Sequence, residues 1–198
     1  METGLNPLII DIDSFALENM LAINYEMEGN EVVAIANVGA TITNINILKN
    51  DVSAFTRDIF KGGDQFTEEI QRQLHIDFEE AEKIKVGSKV DHASQGVVQN
   101  VIKSASESLA IEIGNSLDFF QSSTTYEKIS KIYLSGGGAK IKDFDTILQQ
   151  QVGIPVEIAN PFKKIEYNEK YFDREYLREV GPLMAVGVGL ASRKVGDR

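Results

Sequence analysis

The chain has 198 residues, 42% of them hydrophobic and 25% charged, which is typical of a folded globular protein rather than a disordered one. Its formal net charge of −10 argues against nonspecific binding to nucleic acid or to an anionic membrane surface. The sequence contains no cysteine, which excludes a disulfide framework. It contains only two histidines, which is fewer than a histidine-based zinc site normally uses.

The predicted elements begin with a short apolar strand at residues 8–12, followed by a helix that Asp13 could cap. Three strands are predicted next, at residues 32–36, 41–48 and 52–59. Gly39 marks the first of the tight turns between them. Three consecutive strands joined by tight turns make a β-meander.

A helical region is predicted after Gly62 and Gly63, where apolar residues recur at i, i+4 and i+8. The sequence DFEE at residues 77–80 has the form of a capped helix start. A long amphipathic helix then carries an apolar stripe, Val98, Val101, Ile102, Ala105, Leu109, Ile113 and Leu117.

The chain returns to a strand pattern at residues 129–134, and a helix over 143–151 and a strand over 155–158 follow. The last helix is predicted over about 181–192. Its small residues Gly181, Ala185 and Gly189 are four apart, a spacing that lets a neighbouring backbone approach closely. Its apolar run is shorter than the ~20 residues needed to span a bilayer. The whole order predicts an α/β architecture with an added helical piece.

Three glycines, Gly136, Gly137 and Gly138, follow the strand in the sequence IYLSGGGAKIKDF. A strand that runs into glycines and then a helix can bring backbone amides close to a phosphate or a base. The spacing does not match the dinucleotide fingerprint, because Ile141 stands where glycine or alanine is required, and there is no P-loop sequence. A plain turn needs one glycine, so three favour a ligand.

Two further stretches could contact a ligand, although each also has a purely structural explanation. In ANVGATIT, a tight turn at Gly39 places the hydroxyls of Thr41 and Thr43 nearby, but a simple hairpin accounts for it equally well. In EEAEKIKVG, Glu82 and Lys85 are three residues apart and could bind a ribose or simply pair with each other on a solvated helix.

The order and spacing of these stretches resemble the second half of the actin/heat-shock-chaperone ATPase superfamily. Within it, the sequence is most similar to the PilM family of type IV pilus assembly proteins, from about Asn6 to Arg193. The segments that carry the likeness are PLIIDIDSFALENM, FTRDIFKGGDQFTEEIQ, YLSGGGAKI and GPLMAVGVGLASR.

The resemblance implies an α/β fold, the second lobe of the actin-like (ribonuclease H-like) ATPase fold, with a mixed sheet that starts with a β-meander and a helical subdomain. Roughly half of the family's fold precedes the segment that matches Leu8, so we expect a fragment that lacks most of the N-terminal lobe. The expected divisions are residues 1–27 (first-lobe remnant and connecting helix), 28–61 with 125–175 (sheet subdomain), 62–124 (helical subdomain) and 176–198 (closing helix).

The resemblance also implies ATP and Mg²⁺ as ligands of the intact protein. The nucleotide-binding positions it implies are Asn37, Gly39, Thr41, Thr43, Glu82, Lys85, Gly136, Gly137, Gly138 and Lys140. Asp13 matches an acidic position that approaches the metal through water. Asn37 stands where a hydrolytic site would have a carboxylate, and an amide cannot act as a general base. We therefore assign no catalytic residue, and expect no ATPase activity and at best weak nucleotide binding from this chain alone.

The partners implied are the cytoplasmic tail of PilN and other pilus-platform proteins, with no nucleic acid and no direct membrane insertion. The family binds that tail in a groove of the first lobe, which leaves open whether this fragment keeps the site. We expect a cytoplasmic protein, peripheral to the inner membrane through its partners. The surface that a first lobe would cover is expected to promote self-association.

Two alternatives belong to the same superfamily. A division or shape protein resembling FtsA or MreB would carry a membrane-binding amphipathic helix at a terminus, and the sequence has no such pattern. A sugar or acetate kinase would need an aspartate that activates the acceptor, for which Asp11, Asp13 and Asp64 are candidates.

Overall fold

The computed structural model describes residues 9–27, 29–87, 95–125, 128–194 and 196. The strands are β1 (Val32–Val38), β2 (Thr43–Lys49), β3 (Val52–Ile59), β4 (Ile129–Ser135) and β5 (Val156–Ile158). They form one mixed sheet in the order β3-β2-β1-β4-β5. The first three strands pair antiparallel as a meander, while β4 runs parallel to both β1 and β5. The α/β class and the β-meander predicted from the sequence are confirmed.

The described residues form six α-helices: α1 (Asp13–Asn24), α2 (Gly63–Leu74), α3 (Phe78–Lys85), α4 (Gln95–Ser123), α5 (Phe144–Val152) and α6 (Arg174–Ala191). A 3₁₀ turn, Gly137–Lys140, follows β4. One face of the sheet packs against α4 and α5, and the other packs against α1 and α6. None of the helices in the described ranges is long and apolar enough to cross a membrane.

Strand β1 lies at the centre of the sheet and every one of its residues is buried. Val32, Ala34, Ala36 and Val38 belong to the core on the α4–α5 face, whereas Val33 and Ile35 belong to the core on the α1–α6 face. Cover on both faces explains why the strand is a nearly continuous apolar run instead of an alternating one.

The helices α2 and α3 pack against the N-terminal part of α4 around a small core of their own, Ile70, Ala81, Ile84 and Val101. Phe66 of α2 connects this region to the main core, where its ring meets Phe144 edge-on with centroids 6.3 Å apart. The predicted stripe of α4 is confirmed, since Leu109, Ile113 and Leu117 are fully buried. The division of the chain into subdomains stays a prediction.

Two predicted elements differ from the structure. Residues 9–12 do not form a strand, and Leu8 lies outside the described residues; Ile10 is 93% exposed because no strand of the sheet lies beside it. Helix α6 begins at Arg174 rather than near residue 181, because Asp173 caps it by accepting a hydrogen bond from the Tyr176 amide. A proline inside the helix obscured this start in the sequence.

Candidate functional site

Four segments from separate parts of the sequence line one cavity of about 700 Å³. They are the turn after β1, the start of α2, the end of α3 and the glycine-rich 3₁₀ turn after β4, and helix α6 closes the remaining side. Most of the predicted nucleotide-binding residues line this cavity: Asn37, Gly39, Glu82, Lys85, Gly136, Gly137, Gly138 and Lys140.

The turn after β1 is fixed to the start of α2 by backbone hydrogen bonds. The amide of Gly63 donates to the Gly39 carbonyl (2.9 Å), and the amide of Asp64 donates to the Ala40 carbonyl (2.8 Å). An ideal Cβ on Gly62 would lie 2.5 Å from both carbonyl oxygens, so glycine is required at this approach. The first amides of α2 are therefore used to position the turn.

Three predicted residues do not line the cavity. Thr43 is fully buried, and its hydroxyl donates to the Lys61 carbonyl at 2.8 Å. Thr41 is exposed in the turn, and neither its amide nor that of Ala40 donates to any group within the described residues. Asp13 is exposed at the first residue of α1, and the described ranges contain no cluster of three metal-binding side chains. The role of each in binding stays a prediction.

Glu82 and Lys85 are joined by an ion pair on one face of α3, with Oε2 and Nζ 2.7 Å apart. The Thr67 hydroxyl donates to the same oxygen at 2.6 Å, and Lys85 also donates to the Gly63 carbonyl at 3.2 Å. Partial burial raises the pKa of Glu82, but hydrogen bonds from Lys85 and Thr67 and the lysine charge outweigh it and leave the pKa below its ordinary value. Glu82 is thus an ionised acceptor at the edge of the cavity.

The three glycines after β4 have different reasons for lacking a side chain. Gly136 has φ +82°, and an ideal Cβ there would lie 2.4 Å from the Val38 carbonyl oxygen. A Cβ on Gly138 would lie 2.2 Å from Cγ1 of Val38. A Cβ on Gly137 would meet only Leu183, at 3.4 Å, on the cavity wall. Close packing on β1 therefore explains two of the glycines, and Gly137 is the one whose backbone is open to a ligand.

Asn37 lies at the end of β1 and is 8% exposed. Its Oδ1 accepts a hydrogen bond from the hydroxyl of Ser135 on β4 at 3.0 Å. A neutral amide held in this way can bind a water molecule, but it cannot accept a proton as a carboxylate base would.

Helix α6 contributes a cavity wall that sequence reasoning missed. Glu179, Leu183 and Val186 line the cavity, and Glu179 pairs with Lys140 at 3.3 Å. These residues recur at i, i+4 and i+7, which places them on one face of a helix. The spacing could have been recognised if the helix had been predicted to begin at Arg174.

The charges that line the cavity do not favour a bare anion. Among the described residues of the lining, three carboxylates, Asp64, Glu82 and Glu179, face two ammonium groups, Lys85 and Lys140. Both lysines are paired with carboxylates of the same lining. A polyanionic ligand would therefore need a cation of its own, or positive groups from outside this cavity.

Comparison with known proteins identifies the family. The model of the type IV pilus assembly protein PilM family matches residues 1–195. The chain belongs to the PilM family. The solved PilM-PilN type IV pilus biogenesis complex contains a chain that is 30% identical, with a TM-score of 0.85 over 98% of this chain and 55% of that one.

Two other solved structures have the same fold at lower identity. MreB5 of Spiroplasma citri bound to AMPPNP is 18% identical, with a TM-score of 0.68 over 96% of this chain and 60% of that one. The ethanolamine utilization protein EutJ from Carboxydothermus hydrogenoformans is 20% identical, with a TM-score of 0.63 over 90% of this chain and 53% of that one. The actin-like fold is confirmed, and the chain spans little more than half the length of these structures.

Proposed function

We propose that this chain supplies the second-lobe half of an adenine-nucleotide site in a cytoplasmic, actin-like scaffold protein of type IV pilus assembly. The observation that supports this most strongly is the cavity, which brings together Asn37, Glu82 and Gly137 from segments far apart in the sequence. Its volume of about 700 Å³ is within the usual range of small-molecule sites.

The lining fits an adenine nucleotide. Val86, Ile141, Leu183 and Val186 offer apolar surface for a base. The carboxylate of Glu82 is an acceptor suited to ribose hydroxyls, and the amide of Ala40 is a donor suited to a phosphate oxygen. The amide of Thr41, next to it in the exposed turn but outside the lining, is a second such donor. When bound, ATP would supply the phosphate oxygens that hold Mg²⁺, with Asp13 as the proposed contact through water.

The same lining favours binding over hydrolysis. Among the described residues of this lining, both ammonium groups are paired with carboxylates, and Asn37 cannot serve as a carboxylate base. We therefore propose that the nucleotide acts as a structural ligand of the intact protein, and that this chain alone binds it weakly, with a dissociation constant on the order of 1 mM.

The proposal is tested by titrating the ¹⁵N-labelled chain with Mg-ATP and following the amide chemical shifts. We expect saturable shifts at Gly39, Glu82 and Gly137, and a reduced affinity in Glu82→Gln. The control is Glu79→Gln, which removes an exposed carboxylate from the same helix outside the cavity. Shifts that scatter over the surface, or their absence at millimolar Mg-ATP, would overturn the proposal.

The solved PilM-PilN complex suggests the main partner. We propose that the intact protein binds the cytoplasmic tail of a PilN-type protein, and is held at the inner membrane with other platform proteins in this way. The tail is expected to dock on the first lobe, so a fluorescent tail peptide should not bind this chain in an anisotropy titration. Tight binding would place the docking site on the second lobe instead.

We propose that copies of the chain associate through exposed apolar side chains of α1 and α6, such as Phe15 (44% exposed), Leu183 (51%) and Leu190 (45%). Sedimentation velocity should detect dimers as the concentration rises, and Phe15→Ser should reduce them. The control is Phe119→Ser, which changes a phenylalanine of α4 that is somewhat more exposed (56%). A monomer at every concentration would contradict this part of the proposal.

A further inference from the structure

Four polar side chains form a row across four neighbouring strands of the sheet. They are Ser135 on β4, Asn37 on β1, Asn44 on β2 and Asp58 on β3, and each stands directly opposite the next in the strand register. The row begins beside the cavity and ends at the outer edge of the sheet, where β3 is the last strand.

Hydrogen bonds connect the row from one end to the other. The Ser135 hydroxyl donates to Oδ1 of Asn37 at 3.0 Å, and Nδ2 of Asn37 donates to Oδ1 of Asn44 over a longer distance of 3.4 Å. Nδ2 of Asn44 donates to Oδ1 of Asp58 at 2.7 Å. Every donor in the row thus points away from the cavity and towards the edge of the sheet.

Asp58 stands at the end of the row towards which the donors point. At neutral pH an aspartate is a carboxylate, which accepts hydrogen bonds but cannot donate one, so Asn44 must turn its NH₂ group towards Asp58. The amide oxygen of Asn44 then faces Asn37, which must in turn direct its own NH₂ group towards Asn44. Ser135 imposes no direction at the other end, because a hydroxyl can either donate or accept.

The consequence falls on the face that Asn37 presents to the cavity. Its Oδ1 lies on the side of Gly136, since an ideal Cβ on that glycine would be 2.9 Å from Oδ1. Gly136 itself lines the cavity. The group that the end of β1 presents to the cavity is therefore an acceptor, and the NH₂ group of Asn37 is directed into the sheet.

We propose that Asp58, at the exposed edge of the sheet, is a positioning residue that orients the Asn37 amide so that the cavity meets its oxygen. The consequence of this orientation for binding rests on the proposed function. An acceptor at this position suits water molecules bound to a cation, and repels a bare phosphate oxygen. The arrangement makes the site selective for the magnesium complex of a nucleotide over the metal-free nucleotide.

The orientation is tested in the free protein by NMR. We expect the Nδ2 protons of Asn37 to give NOEs to the side chain of Asn44 and none to the Hα protons of Gly136. The opposite pattern in the wild-type chain would overturn the proposal, whatever ligand the cavity binds.

Substitution of Asp58 separates its role from the rest of the fold. In Asp58→Lys the end of the row becomes a donor, so both amides should turn over and the Asn37 NOEs should move to Gly136. Lysine is well tolerated on an exposed edge strand, and thermal unfolding would check that the fold is retained. Asp58→Asn, which offers both a donor and an acceptor, should give both sets of NOEs. If the Asn37 NOEs are unchanged in folded Asp58→Lys, Asp58 does not set the orientation and the proposal is wrong.

The proposed selectivity is tested by chemical-shift titration with ATP, once in the presence of Mg²⁺ and once in the presence of EDTA. The ratio of the two affinities measures the preference for the magnesium complex. In Asp58→Lys the preference for the magnesium complex should fall about fivefold, the size of one typical net hydrogen bond. Asp118→Lys makes the same charge change at an exposed position of α4 and should leave the preference unchanged. If the preference for the magnesium complex falls equally in both variants, the effect is due to charge, and the proposal that Asp58 sets the selectivity through Asn37 is contradicted. If ATP does not bind at all, the proposed function fails, while the NOEs still decide whether Asp58 orients Asn37.

Discussion

Gly189 of α6 crosses the backbone of Ala16 in α1 so closely that an ideal Cβ on the glycine would lie 1.7 Å from the Ala16 carbonyl oxygen. The carbonyl carbon of Ala16 would be 2.4 Å away. Both are backbone atoms of a helix, so they cannot move aside as the end of a side chain could. The two helices are locked at this crossing, and the ion pair between Asp11 and Arg193 (2.7 Å) joins their ends.

Gly189→Ala is therefore expected to destabilise the chain, although alanine has the higher helix propensity. Separating the two helices costs about 3 kcal/mol or more, in line with severe overpacking of a core. The control is Gly187→Ala in the same helix, where an added Cβ meets nothing closer than 3.9 Å. That variant should gain up to about 1 kcal/mol from helix propensity. Urea unfolding of both variants measures the difference, and similar stabilities would contradict the close crossing.

The fold was predictable where a pattern is local. Short apolar runs and the tight turns between them predicted the meander, and the spacing of Gly181, Ala185 and Gly189 predicted a close helix contact, which Gly189 makes with Ala16. The strand at residues 8–12 was wrong because an apolar run becomes a strand only when another strand lies beside it. That information is not contained in the run itself.

The site was predictable in part for the same reason. Most of the residues that the resemblance implies line the cavity. The cavity wall from α6, however, depends on how that helix packs, and the row from Ser135 to Asp58 depends on strand register. A sequence scan finds two asparagines and an aspartate on separate strands and has no means of aligning them. The triple glycine also has a packing explanation that the sequence does not show, since Val38 requires glycine at two of the three positions. Its role in ligand binding stays a prediction.

Phe66 connects the helical region around α2 and α3 to the main core, and it is fully buried. Phe66→Ala is expected to lower the free energy of unfolding by about 3–5 kcal/mol, because it leaves a cavity beside Phe144. Phe78→Ala changes a phenylalanine of α3 that is 48% exposed, and it should cost far less. Chemical denaturation compares the two, and equal costs would show that Phe66 is not the connection between the two cores.

The lowered pKa of Glu82 predicts how its contribution to stability depends on pH. The folded state holds the carboxylate ionised below its ordinary pKa of 4.5, so the contribution is present above that value and is lost as the pH falls through the folded pKa. The stability difference between the wild type and Glu82→Gln, measured by urea unfolding from pH 7 to pH 3, should therefore shrink in acid. In a Lys85→Met background the dependence should weaken, since the lysine lowers the pKa. A difference that grows in acid would contradict the sign.

Substitution by alanine should affect different properties at Gly137 and Gly138, ligand affinity at the first and stability at the second. In Gly138→Ala the new methyl group overlaps Val38 on the central strand, 2.2 Å from Cγ1, so the variant should lose about 1–3 kcal/mol of stability. In Gly137→Ala the nearest atom is Cδ2 of the half-exposed Leu183 at 3.4 Å, so the fold should be nearly unaffected. Its methyl group would instead occupy the cavity wall, and the affinity for Mg-ATP should fall.

Thermal unfolding and the Mg-ATP titration must be measured on both variants, because an unfolded protein also fails to bind. If Gly137→Ala is stable and binds Mg-ATP as well as the wild type does, the glycine turn does not contact the nucleotide. A stable Gly138→Ala would mean that β1 can shift away from the turn. If both glycines prove structural, the cavity would keep Glu82 and Asn37 as its ligand-facing polar groups, and the contribution of the turn would be to hold Asn37 in place beside Ser135.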